Sequence, residues 1–224
     1  MKKRIKIDST LLSFIIIMTG FLFAFRNVYP LNPFLDDALD FLGFIVLLIG
    51  ILLRMAARGH KKAHSEKSKE IVTSGPYMIV RNPMYLGSFS MGAGFVLMLW
   101  PWWSLSLFAV LFYIRFIRQV VKEEEYLEGL MPRKYKAYCK KVPRIFPDIS
   151  LMGKAKLKDV IDLKEAFSTK EARGLWGWPL LAVLLESFQE QLVFGETILS
   201  HTIMIFLMAA IMFVVAFIYY YQKK

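Results

Sequence analysis

The chain has 224 residues, 56% of them hydrophobic and 15% aromatic, with a formal net charge of +11 and a mean hydropathy of +0.45. So apolar a composition excludes an ordinary soluble domain and belongs to a multi-span membrane protein, whose excess lysine and arginine meets anionic lipid rather than nucleic acid. The single cysteine, Cys139, excludes an internal disulfide and a cysteine-rich metal site.

In chain order, MKKRIK precedes a long apolar run with no small-residue cleavage site after it, which predicts a retained first span over 9–27. Crossing a hydrocarbon core about 30 Å thick takes roughly 20 apolar residues. Further spans are predicted at 38–57, 83–100, 102–121 and 197–221. Leu175–Phe188 is apolar but short and contains Pro179. Lysine and arginine are absent from 28–37, 100–102 and 189–197 and concentrated in 54–81, 122–173 and both ends. Positive loops stay cytoplasmic, so both termini are expected there, and 175–194 then crosses as well. The predicted fold class is all-α: a polytopic transmembrane helix bundle of about six spans, five if 175–194 is re-entrant. Its basic cytoplasmic loops are expected to meet anionic lipids. Three segments follow: 1–70, two spans and a basic linker; 71–147, a motif-bearing core; and 148–224, an interfacial helix and C-terminal helices of unassigned role.

RGHKKAHSEKSKE (58–70) reads as a charged, solvated linker. His60 and His64, four apart, have the spacing of helical metal ligands. No third ligand accompanies them in sequence, so no metal is expected. In AKLKDVIDLKEAF (155–167), Leu157, Val160, Ile161 and Phe167 share one side, which suits a basic helix lying on the membrane surface. Ser168 followed by Glu171 predicts a capping box.

Two polar clusters border the spans. The first, SGPYMIVRNPMYLGSFSMGAGF (74–95), places Asn82 as a helix N-cap before Pro83, with Arg81 beside a helix start suited to an anion. Gly87, Ser90, Gly92 and Gly94 are small enough for close helix packing, or for a ligand to approach the backbone. In the second, Arg115, Gln119 and Glu123 form a polar stripe along the fourth predicted helix. Glu123, Glu124 and Glu125 oppose that helix's C-terminal dipole, a local conflict that marks either function or a lysine-paired surface.

Together the pieces form an ordered pattern: Gly-Pro-Tyr and Val-Arg-Asn-Pro-x-Tyr-x-Gly (75–87), Glu-Glu-x-x-Leu (123–127), Lys-Tyr-x-x-Tyr (134–138) and Val-Pro-Arg-Ile-Phe-Pro (142–147). The pattern resembles the isoprenylcysteine carboxyl methyltransferases and the related phospholipid methyltransferases over roughly 71–147. The resemblance implies a cytoplasmic-side site for S-adenosyl-L-methionine and methyl transfer to a lipid-like acceptor: a prenylcysteine-type carboxylate, a phospholipid amine or a long-chain phenolic hydroxyl. It implies cofactor contacts from Tyr77, Arg81, Asn82, Pro83, Tyr85, Gly87, Gly92, Gly94, Glu123, Glu124, Tyr135 and Tyr138, with Arg81, Asn82 and Glu124 as catalytic residues. The family motif has a histidine where this chain has Asn82. Two other readings share part of the pattern: a membrane reductase of the sterol-reductase type using NADPH, and a non-catalytic lipid-binding bundle.

Overall fold

The computed structural model describes residues 17–29, 32–65, 71–147, 156–193, 195 and 199–222. It is an all-α bundle. Residues 17–24 form α1; residues 9–16 of the expected first span lie outside the described residues. The others are α2 (Pro33–Ser65), α3 (Pro83–Leu99), α4 (Ser104–Leu130), α5 (Pro132–Lys141), α6 (Leu157–Val160), α7 (Leu163–Phe167), α8 (Gly174–Val193) and α9 (Leu199–Gln222). Proline at the first position of α2, α3 and α5 starts each helix where a backbone N–H has no partner to lose.

Phe34–Ser65, Ser104–Leu130 and Thr202–Gln222 are long and apolar enough to cross a membrane. At 17 residues α3 is shorter, about 26 Å at 1.5 Å per residue. The 20-residue α8 contains Pro179 without ending there. Large apolar side chains such as Val110 and Ile114 on α4, and Leu207, Ile211 and Val215 on α9, face outward, as they would toward lipid.

The long helix α2 is the hub. Its residues Phe44, Leu47, Leu48, Ile51 and Met55 form the core with Met91 and Met98 of α3 and Ile205 and Phe206 of α9. Phe44 stacks on Phe206 with ring centroids 4.3 Å apart. The α2–α3 contact is set by glycine. A methyl at Gly94 would lie 2.6 Å from the Gly43 carbonyl oxygen, and one at Gly50 would lie 2.8 Å from the Gly87 carbonyl oxygen. Two glycine pairs, seven residues apart on each antiparallel helix, thus bring the backbones into direct contact.

The bundle has two polar ends. At one, Tyr29 Oη donates to the Leu99 carbonyl (3.0 Å) and Thr202 Oγ1 to Glu190 (3.1 Å). There Asp36, Asp40 and Glu186 bring carboxylate oxygens within 4.8 Å of one another. At the other gather the ends of α2 and α4, the start of α3, and α5 to α7.

Residues 157–167 differ from the expected surface helix. They form two short helices broken at Ile161–Asp162. Val160 and Ile161 are buried against Ala56 of α2, while Phe167 is exposed. The Asp162 side chain caps α7 by accepting from Glu165 N. The expected capping box is absent: Ser168 Oγ donates to the Glu165 carbonyl and Glu171 pairs with Arg54. Glu171 has a tertiary partner that outweighs the local motif, and Ser168 turns back to a carbonyl three residues earlier.

Gly94→Ala is expected to destabilise the protein in detergent by about 1–3 kcal/mol, the usual cost of overpacking. Gly129→Ala, whose methyl would meet nothing within 4 Å, is expected to leave the melting curve unchanged or raised. Thermal melting followed by circular dichroism checks both.

Candidate active site

The helix α4 continues nine residues past the apolar stretch expected to end at 121, to Leu130. This extension projects Glu123 and Glu124 against the start of α3. Behind them α5 stops at Lys141, because Pro143 cannot continue the helix. The chain then returns alongside Arg81, whose N–H donates to the Pro143 carbonyl at 2.8 Å. That single backbone bond delivers Arg144 to the cluster.

Glu124 is the centre. It is buried, and both of its oxygens are engaged. Asn82 Nδ2 donates to Oε1 at 3.0 Å. Arg144 Nε and Nη2 reach Oε2 at 3.0 and 2.9 Å, and Arg81 Nη1 lies 3.4 Å from the same oxygen. The unfavourable acidic run therefore has its compensation in two arginines from distant segments. Burial alone would lower the Arg81 pKa, but Glu124, Cys139 and Tyr135 together outweigh it and the net shift is upward. Arg81 Nη1 also lies 2.7 Å from Cys139 Sγ, and Arg81 Nε is buried with no hydrogen-bond partner.

Glu123 is half-buried and points to the other side of α4. Its Oε1 accepts from Tyr85 Oη (2.8 Å) and Gln119 Nε2 (3.0 Å). Glu125 is exposed, and Glu128 makes only an exposed ion pair with Lys136 at 3.5 Å. Three consecutive carboxylates thus have three different environments.

The tyrosines form the floor. Tyr135 and Tyr138 are buried with Val142. Tyr138 Oη donates to the Tyr77 carbonyl at 2.6 Å, and Tyr77 Oη to the Ala57 carbonyl at 3.4 Å. Burial pushes all three phenols well up, with Glu123 adding to the shift at Tyr77 and Glu124 at Tyr135. They remain protonated donors at neutral pH. The rings of Tyr135 and Tyr138 are used in packing. An open groove of about 530 Å³ runs beside them, with Met78, Lys134 and Lys141 in its wall.

The structure brings Arg81, Asn82, Tyr85, Glu123, Glu124, Tyr77, Tyr135 and Tyr138 to one end of the bundle. Asn82 does occupy the N-cap position before Pro83, but it makes no side-chain cap bond. Its amide goes instead to Glu124 and to the Arg144 carbonyl (3.1 Å). The glycines are elsewhere in role. Gly87 and Gly94 face α2, and Gly92 is filled by the Phe108 ring of α4. These contacts give all three packing roles.

Sequence reasoning missed Arg144, whose signal was an arginine just after a proline-bounded helix. It also missed Arg54, which crosses from α2 to bond Ser88 Oγ (2.5 Å) and Glu171 (3.0 Å) beside Gly87. The solvated-linker reading of His60 and His64 is corrected as well. His60 is packed, with Nδ1 2.7 Å from Glu165 Oε2 and Nε2 2.8 Å from Ser74 Oγ.

With this geometry in hand, the comparisons with known proteins point one way. The phospholipid methyltransferase family model matches residues 39–134. The protein-S-isoprenylcysteine O-methyltransferase of Schizosaccharomyces pombe is 34% identical over 114 residues, covering 47% of this chain and 48% of that protein. Protein-S-isoprenylcysteine O-methyltransferase B of Arabidopsis thaliana is 30% identical over 116 residues, covering 48% of this chain and 59% of that protein. Over these residues the chain is similar to both the phospholipid methyltransferase family model and the two isoprenylcysteine O-methyltransferases. It spans about half the length of the curated relatives it matches. No solved structure matches it. The family match begins within α2, earlier than the motifs at 71–147, and includes both Arg81 and Glu124 while stopping short of Tyr135 and Arg144.

Breaking a buried ion pair by neutralising one partner leaves the other charge uncompensated. Glu124→Gln is therefore expected to cost about 2 kcal/mol of stability, discounted because Arg144 is half exposed. Glu125→Gln is expected to change it by less than about 0.5 kcal/mol. Chemical or thermal denaturation in detergent measures the difference.

Proposed function

We propose that this chain is an integral membrane methyltransferase that transfers the methyl group of S-adenosyl-L-methionine to a lipid-like acceptor, with six spans and both termini cytoplasmic. The observation that carries this reading is the convergence of the Arg81–Asn82–Pro83 helix start with Glu123 and Glu124, both within the segment that matches the phospholipid methyltransferase family. The gathering of the basic segments at the same end of the bundle supports a cytoplasmic site.

The donor set fits the cofactor. S-adenosylmethionine carries a carboxylate, an ammonium, ribose hydroxyls and an adenine, and when bound it supplies an electrophilic methyl group on sulfur. Arg81, with its buried unpaired Nε, suits the carboxylate. Glu123 suits the ammonium or the ribose hydroxyls, oriented by Tyr85 and Gln119. Glu124 and Arg144 act one step back: they hold Arg81 and Asn82 in place. This division moves Glu124 from the cofactor contact that the resemblance implied to a positioning role. In-line displacement needs little covalent help from the protein, so orientation supplies much of the catalysis.

Asn82 favours one acceptor class. Asparagine cannot take up or release a proton near neutral pH. A prenylcysteine-type carboxylate arrives ionised and accepts a methyl group with no base. A phospholipid ammonium or a phenolic hydroxyl has a proton to lose. Asn82 in place of the family histidine therefore supports O-methylation of a carboxylate, in keeping with two relatives named as isoprenylcysteine O-methyltransferases.

Isothermal titration of S-adenosylhomocysteine against the detergent-solubilised protein tests the reading. Losing a charge-assisted contact costs about 1.5–3 kcal/mol, so Glu123→Gln is expected to weaken binding roughly 10- to 150-fold with its melting temperature unchanged. Glu125→Gln is expected to bind as the native chain does. Equal affinities for the two variants would overturn the assignment. Stabilisation by NADPH and not by S-adenosylhomocysteine would favour the reductase reading.

A further inference from the structure

We infer that His60, His64 and Glu165 form a binding site for a divalent transition-metal cation of the zinc class, separate from the proposed methyl-transfer site. The two histidines lie one turn apart on α2 and so share a face. Glu165, 105 positions further along the chain, comes from α7. His60 Nδ1 lies 2.7 Å from Glu165 Oε2, and His64 Nδ1 lies 3.6 Å from Glu165 Oε1. One ligand atom from each of the three falls within 4.8 Å of the others. The imidazole rings are 3.9 Å apart, centroid to centroid. Two imidazoles and a carboxylate are a zinc donor set that leaves a coordination position for water.

The surroundings look built for this arrangement. Gly59 lets the Glu165 backbone press directly on α2, where a methyl group would collide with the Glu165 carbonyl. Gly75 adopts φ +61° with its α-carbon against the His60 ring, where a methyl would lie 2.7 Å away. Asp162 fixes the Glu165 N–H. Ser74 Oγ sits 2.8 Å from His60 Nε2, so the nitrogen facing away from Glu165 is already held, as the outer nitrogen of a metal-bound histidine commonly is. The graded exposure also fits: His60 and Glu165 are largely enclosed at 12% and 21%, while His64, at 47%, leaves that side open to water. Arg58, Lys61 and Lys62 on the same helix disfavour casual binding of a hard cation, so recognition would depend on imidazole ligation.

The competing account is a direct His60–Glu165 contact, with His64 Nδ1 held by the His60 carbonyl oxygen at 3.0 Å. The two differ in what a metal does. Full-length protein with any affinity tag removed is stripped with EDTA in detergent and titrated with zinc, and separately with cobalt. One equivalent of zinc per chain is expected, with a raised melting temperature and cobalt absorption bands of tetrahedral type. His64→Ala changes the most exposed ligand, so its metal-free melting curve should match that of the native chain. Its zinc affinity should fall at least about tenfold, and Glu165→Gln should behave likewise. S-adenosylhomocysteine affinity in the same preparations reports on the other site and keeps the two proposals separable. Absence of stoichiometric zinc binding, or equal zinc affinity in the native and His64→Ala proteins, would overturn the site and leave the direct contact.

Discussion

One buried carboxylate organises the polar end of this bundle. A charge removed from water costs several kcal/mol unless it is paired and hydrogen-bonded. Glu124 meets that demand with three partners from three places: Asn82 before α3, Arg81 beside it, and Arg144 after α5. Satisfying it requires α4 to run beyond its apolar stretch, α5 to end at a proline, and the following strand of chain to return alongside Arg81. Each of these is seen. The positions of Tyr135 and Tyr138 follow, since they lie on the short helix that makes the return.

This end stands on a stiff base. The Gly43–Gly94 and Gly50–Gly87 contacts fix how far α2 and α3 can slide past each other. Arg54, one turn from Gly50, and Ser88, next to Gly87, bond across the same seam. The start of α3 is therefore set by packing inside the bundle, and Arg81 and Asn82 need not be positioned by a flexible loop. Gly59 plays the corresponding part for α7, holding the Glu165 backbone on α2.

Much of this was legible in the sequence. The apolar runs gave α2, α3, α4 and α9 because their length and composition leave few alternatives. The charge asymmetry of the loops matches their separation to two ends of the bundle. Asn82–Pro83 marked the start of α3 correctly, but its side-chain use could not be read locally, because the partner lies 42 residues away. The same limit explains Ser168 and Glu171, where a local capping pattern lost to an ion pair with Arg54 117 positions away in the chain. Composition also could not separate Glu123, Glu124 and Glu125; only the rotation of α4 against α3 makes one buried, one half-buried and one exposed. The acidic group of Asp36, Asp40 and Glu186 drew no attention in sequence because its members are spread over two helices. In the bundle it forms a polar cluster at the end opposite Glu124.

The central claim is methyl transfer to a lipid-like acceptor at the Arg81–Glu123 face. Incubation of the purified protein with methyl-labelled S-adenosylmethionine and a prenylcysteine, followed by solvent extraction, tests it most directly. The account predicts label in the organic phase as a base-labile methyl ester, absent when Arg81 is replaced by Ala. Label that never leaves the aqueous phase, with prenylcysteine or with extracted membrane lipids as acceptor, would contradict it.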